Sequence, residues 1–448
     1  MVLVLVVAGG LPISAQDKPV SAHLSICQLT IEALFGLVEE HSSSLRAEKT
    51  GVQFADLGVA AAKTERLPDI QTSLSASYNG NILMTDREFT HAHGYSSPHF
   101  GNSLAVEAQQ VVYSGGAVSA GIRMAELGRE QAAMGVELTR QQLRFLALGQ
   151  YLELAKLYNR REVYLQNVDL TERLLADIRA KAEQGMVLKN DITRYELQLE
   201  QLRLGLRRVD DQRSILCKQL GTTLGLPAGT TIEPVVASLP TQAQMDSLVV
   251  AFVGASPSHT GLAPTVLPTP RQRLSQLATQ QAEQRERLAR SELLPKVALF
   301  AGDNFNGPFV YDIPPLNKNI NNWYLGVGVR YSLSSLYKGK VKVEQARTAL
   351  RQSQEQQLVV DEQESTAQHE AQTLYRQSFV ALDTQRKSVE LATQNYRVVN
   401  ERYLNQLALV TDMIDASNIR LNAELQEVDA RINTVYAYYR VCYAAGQI

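Results

Sequence analysis

The chain has 448 residues, and its 44 basic and 46 acidic side chains leave a net charge of −2. That balance gives no support for a nucleic-acid partner, which would want a basic face, so none is expected. Aromatic residues make up 6%, too few for several compact cores, whereas Ala, Leu, Gln, Glu and Arg are plentiful, as in long helices.

The first stretch, MVLVLVVAGGLPISA, is an apolar run that closes in small residues, with Ile13 and Ala15 placed for a cleavage after Ala15. Residues 1–15 read as a secretory signal peptide, although the usual positive leader is missing; a buried N-terminal strand is the competing reading. No run of eighteen apolar residues follows, which excludes a helical membrane span. Cys27, Cys217 and Cys442 form no CxxC or Cys/His cluster. They are expected to be small apolar fillers rather than metal ligands or nucleophiles.

Proline then sets the organisation. None lies between Pro98 and Pro227 and none after Pro315, while seven of the fifteen fall between Pro227 and Pro270. Because proline breaks helix interiors, two long helical blocks are permitted, separated by one irregular segment. Each block has the same order of parts. A helical stretch ends in ERLPDI (65–70) or ELLPKV (292–297), and two alternating segments follow around a polar loop. A glycine turn, YSGGAVSAGIRMAE (113–126) or LYKGKVKVEQAR (336–347), leads into a long helix, a short break and a returning helix. Pro68 and Pro295 are 227 residues apart, and Asp191 and Asp412 are 221 apart, so the chain is an internal duplication with a period too long for a solenoid. The domain boundaries expected are a signal peptide at 1–15, a first repeat at 16–226, a Pro-rich equatorial linker at 227–270 and a second repeat at 271–448.

The alternating segments have period two. In IQTSLSASY (70–78), Ile70, Leu74, Ala76 and Tyr78 share one face and Gln71, Ser73, Ser75 and Ser77 the other. In WYLGVGVRYSL (323–333), Trp323, Leu325, Val327 and Val329 oppose Gly326, Gly328 and Arg330. SLAVEAQQVVY (103–113) and KVALFAGDNF (296–305) are weaker versions. An apolar face opposite a small, polar one suits a membrane β-barrel; on the strands alone it suits an ordinary half-buried antiparallel sheet equally well. The helical patterns tip the balance. They run from about Gly116 to Gln184, Asn190 to Leu224, Lys340 to Tyr403 and Val410 to Ala445. Sixty-odd residues at helical rise reach on the order of 100 Å, more than a globular domain uses.

Signal peptide, duplication, four strands and two long helical hairpins together resemble the TolC-like outer membrane efflux channels of diderm bacteria. LP enters each first strand, YSGG leaves the second, and LALVTDMIDASNIRL (407–421) forms the second helical turn. The resemblance covers nearly the whole mature chain. It implies a mixed α and β fold, mainly α: a homotrimer in which each protomer gives four strands to a twelve-stranded outer-membrane β-barrel, continued by a long periplasmic α-helical barrel. It further implies a passive duct in the outer membrane reaching into the periplasm, fed by an inner-membrane pump of RND or ABC type through a periplasmic adaptor. No enzyme activity, metal or cofactor belongs to that reading. Outer-membrane lipid would contact the barrel, with Trp323 in its aromatic girdle. Closure by trimerisation also follows physically, since open strand edges are not tolerated in lipid.

The same resemblance points to the periplasmic turns. Asp412 and Asp415, at i and i+3 on one helical face, match the family's aperture aspartates. Asp191 and Tyr403 match a tyrosine–aspartate link that holds the aperture shut. A second link uses an arginine where this chain has Ala408, opposite Asn190, which leaves half of that lock without its counterpart. Asp191 and Asp412 also suit helix N-termini, where the macrodipole favours a carboxylate. Adaptor docking falls to the turns around Gly185, Met186, Val187, Leu188, Leu407 and Leu409, with simple turn packing as the alternative.

HAHGYSSPHF (91–100) holds three of the seven histidines. Lying between strand one, to about Leu83, and strand two, from about Asn102, it is expected to be a solvated extracellular loop rather than a metal site. No catalytic triad, phosphate loop or nucleotide fingerprint occurs. The alternative function is a secreted coiled-coil scaffold without a pore.

Overall fold

The computed structural model describes residues 26–185, 187–227, 229–235, 245, 268–309, 315–405 and 407–448. The proposed signal peptide and most of the Pro-rich segment lie outside those residues. In chain order the elements are β1 (Ile26–Leu29), α1 (Ile31–His41), α2 (Ser43–Thr64), β2 (Asp69–Tyr78), β3 (Ile82–Thr85), β4 (Ala92–Tyr95), β5 (Phe100–Tyr113), α3 (Ala117–Glu183), α4 (Lys189–Thr223), β6 (Thr231–Pro234), α5 (Pro270–Ser291), β7 (Lys296–Gly307), β8 (Ile320–Arg330), α6 (Ser335–Leu404) and α7 (Val410–Ala444). The long helices fall within a few residues of their expected limits. Two compact units emerge.

One unit comprises Ser42–Leu146, Pro240–Ala381 and Asn433–Ile448. Its centre is a four-stranded antiparallel sheet in the order β2-β5-β7-β8, two strands from each sequence repeat. The register aligns the apolar faces across all four strands. One row reads Ile70–Ala108–Ala301–Leu325, and the next Thr72–Val106–Asp303–Trp323. That face is bare: Leu74 is 81% exposed, Leu325 76% and Trp323 75%. The opposite face carries Gln71, Ser73 and Ser75 on β2, with Ser103 donating to Asn306 Oδ1 at 2.7 Å. β2 and β8 end the sheet, so their outer backbone edges are unpaired among the described residues.

The helices of this unit pack through polar seams. Thr269 and Gln272 form a capping box that starts α5, with Pro270 at its first position, where a missing N–H costs nothing. Gln272 then donates to Asp361 of α6 at 3.0 Å, and Thr279 to Gln357 at 3.1 Å. The ring of Phe145 on α3 stacks on Tyr443 of α7 with centroids 4.6 Å apart.

The other unit comprises Met1–His41, Ala147–Leu239 and Leu382–Ile432. Here β1 pairs in parallel with β6, and two tyrosines of α3 anchor the ribbon. Tyr151 Oη donates to Leu29 O at 2.9 Å and Tyr158 Oη to Ile232 O at 3.0 Å. Leu34, Leu148, Leu220 and Leu224 are fully buried around it. Further along, Arg160 of α3 grips Asp429 of α7 through two hydrogen bonds of 2.9 and 2.6 Å. A buried polar layer follows, in which Gln198 of α4 donates to Asn418 of α7 at 2.6 Å.

Three expectations are corrected. The linker expected at 227–270 is not wholly irregular, because Thr231–Pro234 is strand β6; Pro234 is tolerated as the last residue of a short ribbon. The histidine segment is not an open loop between Leu83 and Asn102, since β3 and β4 form a second hairpin there. Helix α6 starts at Ser335 rather than about Lys340. Its Gly339 is buried, and a Cβ there would lie 2.5 Å from Leu293 Cδ2.

Candidate gating site at the helical turns

The α3–α4 turn is made by Gly185, whose φ of 75° closes the end of α3 with an N–H bond to Ala182 O at 2.9 Å. Helix α4 then starts from Leu188, which has an extended backbone and no side-chain cap. Asp191 supplies the acidic group of its first turn, where the helix dipole favours it. The α6–α7 turn repeats the plan without the glycine. There the Leu407 N–H bonds to Arg402 O at 2.8 Å, and Asp412 Oδ2 accepts the Leu409 N–H at 3.0 Å. Asp412 is thus the reciprocal half of a capping box, satisfying the amide that precedes α7.

Both turns close over one apolar plug. Leu175 and Ile178 of α3, Tyr195 and Leu199 of α4, and Val410 and Met413 of α7 are buried together, with Val187, Ile192, Tyr396 and Tyr403 packed around them. Leu188, Leu407 and Leu409 point away and are about 70% exposed. Of the expected docking residues, Val187 therefore belongs to the plug, the three leucines are free on the surface, and Met186 lies outside the described residues.

Asp412 and Asp415 are both exposed on one face of α7. Asp191 and Tyr403 are brought together, but no hydrogen bond joins them. Burial pushes the Tyr403 hydroxyl above its ordinary pKa, and the Asp191 carboxylate raises it further. Lys181 sits over the Tyr403 ring, 5.6 Å from its centroid. Beneath it, Tyr195 is 3% exposed and its hydroxyl has no hydrogen-bond partner among the described residues. Burial raises its pKa first, and then Tyr403, Tyr396 and Asp191 add to the shift. Tyr396 in turn carries the Arg420 guanidinium 4.4 Å from its ring centroid. The sequence reasoning missed Tyr195, Tyr396 and Arg420. A signal was there, since Tyr396 and Tyr403 are seven residues apart on one helix face.

The other expected residues fall in the sheet unit. Trp323 stands on the bare apolar face opposite Asp303. His91 Nδ1 lies 3.1 Å from Asp86 Oδ2, and His99 stacks on Tyr78 with centroids 5.2 Å apart. His91 and His99 thus serve separate local contacts, one in the β3–β4 hairpin and one at the start of β5. Cys217 and Cys442 are buried and free, and Cys27 is half-buried.

No protein-family model and none of the curated proteins matches the chain. Solved structures do. The outer membrane protein VceC of Vibrio cholerae superposes with a TM-score of 0.75 at 15% identity, over 93% of this chain and 96% of that one. CusC, described through its folding and transmembrane channel formation, gives 0.78 at 13% identity, over 94% and 93%. The Campylobacter jejuni CmeC outer membrane channel gives 0.71 at 13% identity, over 93% and 85%. These matches span nearly the whole length, and the chain has the fold of the TolC-like outer membrane channels.

Proposed function

We propose that this protein is a non-enzymatic outer membrane duct, the exit channel of a tripartite efflux or type I secretion system, conducting substrates passively to the exterior. The observation that carries the reading is the four-stranded sheet, apolar and bare on one face and unpaired at both edges. Such a sheet is stable neither alone in water nor alone in lipid. Three copies joined edge to edge would make a closed twelve-stranded barrel with its apolar face toward lipid and Trp323 in the interfacial girdle. The likeness to outer membrane channels supports the same reading.

Within it, residues 1–15 are a signal peptide, 16–226 and 271–448 are the two repeats, and 227–270 passes between them. The helical hairpins extend into the periplasm. Asp412 and Asp415 of three protomers ring the aperture and favour cations, while Asp191 and Tyr403 hold neighbouring helices together at rest. Gly185, Met186, Val187, Leu188, Leu407 and Leu409 meet a periplasmic adaptor, which couples the duct to an RND or ABC pump.

The test is conductance of the purified protein in a planar bilayer, beside the Asp412→Ala/Asp415→Ala variant. A small cation-selective conductance that loses selectivity in the variant is expected. Protein that stays soluble without detergent and never inserts would overturn the duct.

A further inference from the structure

At both places where a strand hands over to a long helix, the carboxylate that a helix start prefers is missing. Neither α3 nor α6 has an acidic residue in its first turn, although the positive end of a helix favours carboxylates. Helix α6 instead carries Lys338, Lys340 and Lys342 within two turns of its start. The cavity beside it, about 350 Å³, is lined by Lys296, Arg330, Lys338 and Lys342. Of these only Lys342 has a carboxylate partner among the described residues, Glu292 at 2.8 Å.

The equivalent junction in the first repeat is more fully formed. A cavity of about 420 Å³ lies between the start of α3 and the last turns of α5, and Gly115, Gly116, Ser119, Arg123, Gln284 and Arg287 line it with Arg290. A Cβ on Gly116 would meet nothing within 4 Å, so the cavity reaches the backbone at the helix start. Arg123 and Arg290 are held by Glu126 at 3.2 Å and Glu286 at 2.7 Å, whereas Arg287 has no partner among the described residues. Gln284, which lines the same cavity, is 8% exposed and its amide has no hydrogen-bond partner among the described residues. That amide faces the cavity beside the free guanidinium of Arg287, where it is open to a ligand.

We propose that this first junction binds a phosphate-class anion. Arg287 offers a planar fork suited to two phosphate oxygens. Gln284 Nε2 donates a third hydrogen bond, and because Ser114 already accepts from the Ala117 and Val118 N–H groups at 3.1 and 3.4 Å, the start of α3 contributes only its field. The same chemistry could come from a phospholipid headgroup, at the point where the apolar strand band ends, or from a soluble phosphate ester. Binding here does not depend on the protein conducting.

The test uses the full chain in neutral detergent, titrated with inorganic phosphate and followed by calorimetry. In parallel the protein is placed in nanodiscs of phosphatidylcholine with or without phosphatidylglycerol, followed by thermal unfolding. Saturable phosphate binding, or stabilisation specific to phosphatidylglycerol, supports the site and tells the soluble source from the lipid one. Arg287→Gln is expected to weaken the effect at least about tenfold, while Arg285→Gln, on the same helix but outside the cavity lining, leaves it unchanged. Gln284→Glu supplies an internal carboxylate to Arg287 and is expected to abolish binding while raising thermal stability, which separates loss of the site from loss of folding. Wild-type protein that responds to neither probe, or an Arg285→Gln variant as weakened as Arg287→Gln, overturns the proposal.

Discussion

Phe300 lies across the backbone of Gly326: a Cβ built on that glycine would sit 2.6 Å from the ring's Cζ. The arrangement is reciprocal, because a Cβ on Gly302 would sit 2.5 Å from Tyr324 Cζ. The two rings meet at 6.0 Å and a 56° tilt on the side of the sheet away from the apolar face. Aromatic rings that cover glycines in this way restore packing and pin strand register. Gly326→Ala is therefore expected to destabilise the sheet by about 1–3 kcal/mol through overpacking. Gly302→Ala should do the same by displacing Tyr324. Thermal unfolding in detergent would show the fall, and an unchanged melting temperature in both variants would remove this role for the rings.

Asp412 and Asp415 are expected to separate by stability. Asp412 satisfies the Leu409 amide, so Asp412→Ala costs about 0.5–1 kcal/mol, and Asp412→Asn, which keeps an acceptor, costs less. Asp415 is exposed and has no partner among the described residues, so Asp415→Ala leaves the denaturation midpoint where it was. Equal losses at both positions would contradict the cap. If both aspartates line the aperture, both variants change ion selectivity, whatever they do to stability.

Tyr195 carries a buried hydroxyl with no hydrogen-bond partner among the described residues. Removing it should help: Tyr195→Phe is expected to stabilise the protein by about 1 kcal/mol, and Tyr195→Ala to destabilise it by about 3–5 kcal/mol through the cavity left in the plug. The pH dependence has a definite sign. Tyr195, Tyr396 and Tyr403 are all raised above the ordinary phenol value by burial. The folded state therefore prefers their neutral forms. Their contribution is complete below about pH 10 and is lost as the pH rises through the folded values. Alkaline unfolding should begin later in Tyr195→Phe than in the wild type. A variant less stable than wild type at neutral pH would show that the hydroxyl is bonded after all.

Asp86 sits at the tip of the β3–β4 hairpin, where it accepts hydrogen bonds from the Thr90 N–H at 2.7 Å, the Thr90 hydroxyl and His91. These bonds, led by the Thr90 hydroxyl, lower its pKa to about 2. A depressed carboxylate contributes above its unfolded pKa and stops contributing as the pH falls through its folded one. The hairpin turn should thus hold to about pH 3 and loosen near pH 2. Asp86→Asn should loosen it at neutral pH, seen as faster amide exchange at Phe89 and Thr90. Exchange rates indifferent to both changes would show that the turn stands without the carboxylate.

The parts that follow from local pattern were legible in the sequence. Period-two alternation marked β2 and β8, and the absence of proline allowed helices of 67 and 70 residues. The fixed offset between Asp191 and Asp412 placed both helical turns. These features depend on neighbours along the chain, so the chain alone specifies them. Strand β6 was hidden because four residues among prolines have no periodicity to read, and its pairing with Ile26–Leu29 crosses two hundred residues. The β3–β4 hairpin was missed because its turn lacks the glycine or asparagine signal and is held instead by the Asp86 side chain.

The sequence by itself determined the duplication, the helix limits, which strand faces are apolar and which carboxylates begin which helices. Only the tertiary structure decided what those residues meet. It set the row that puts Asp303 beside Trp323, the glycines that receive Phe300 and Tyr324, and the plug where Tyr195 lies buried with no hydrogen-bond partner among the described residues. It also left Tyr403 beside Asp191 but unbonded, and Arg287 and Gln284 facing one cavity. The physical reason is range. Helix capping and amphipathic alternation act within a turn or two, whereas burial, packing and the pairing of buried polar groups depend on segments that only folding brings together.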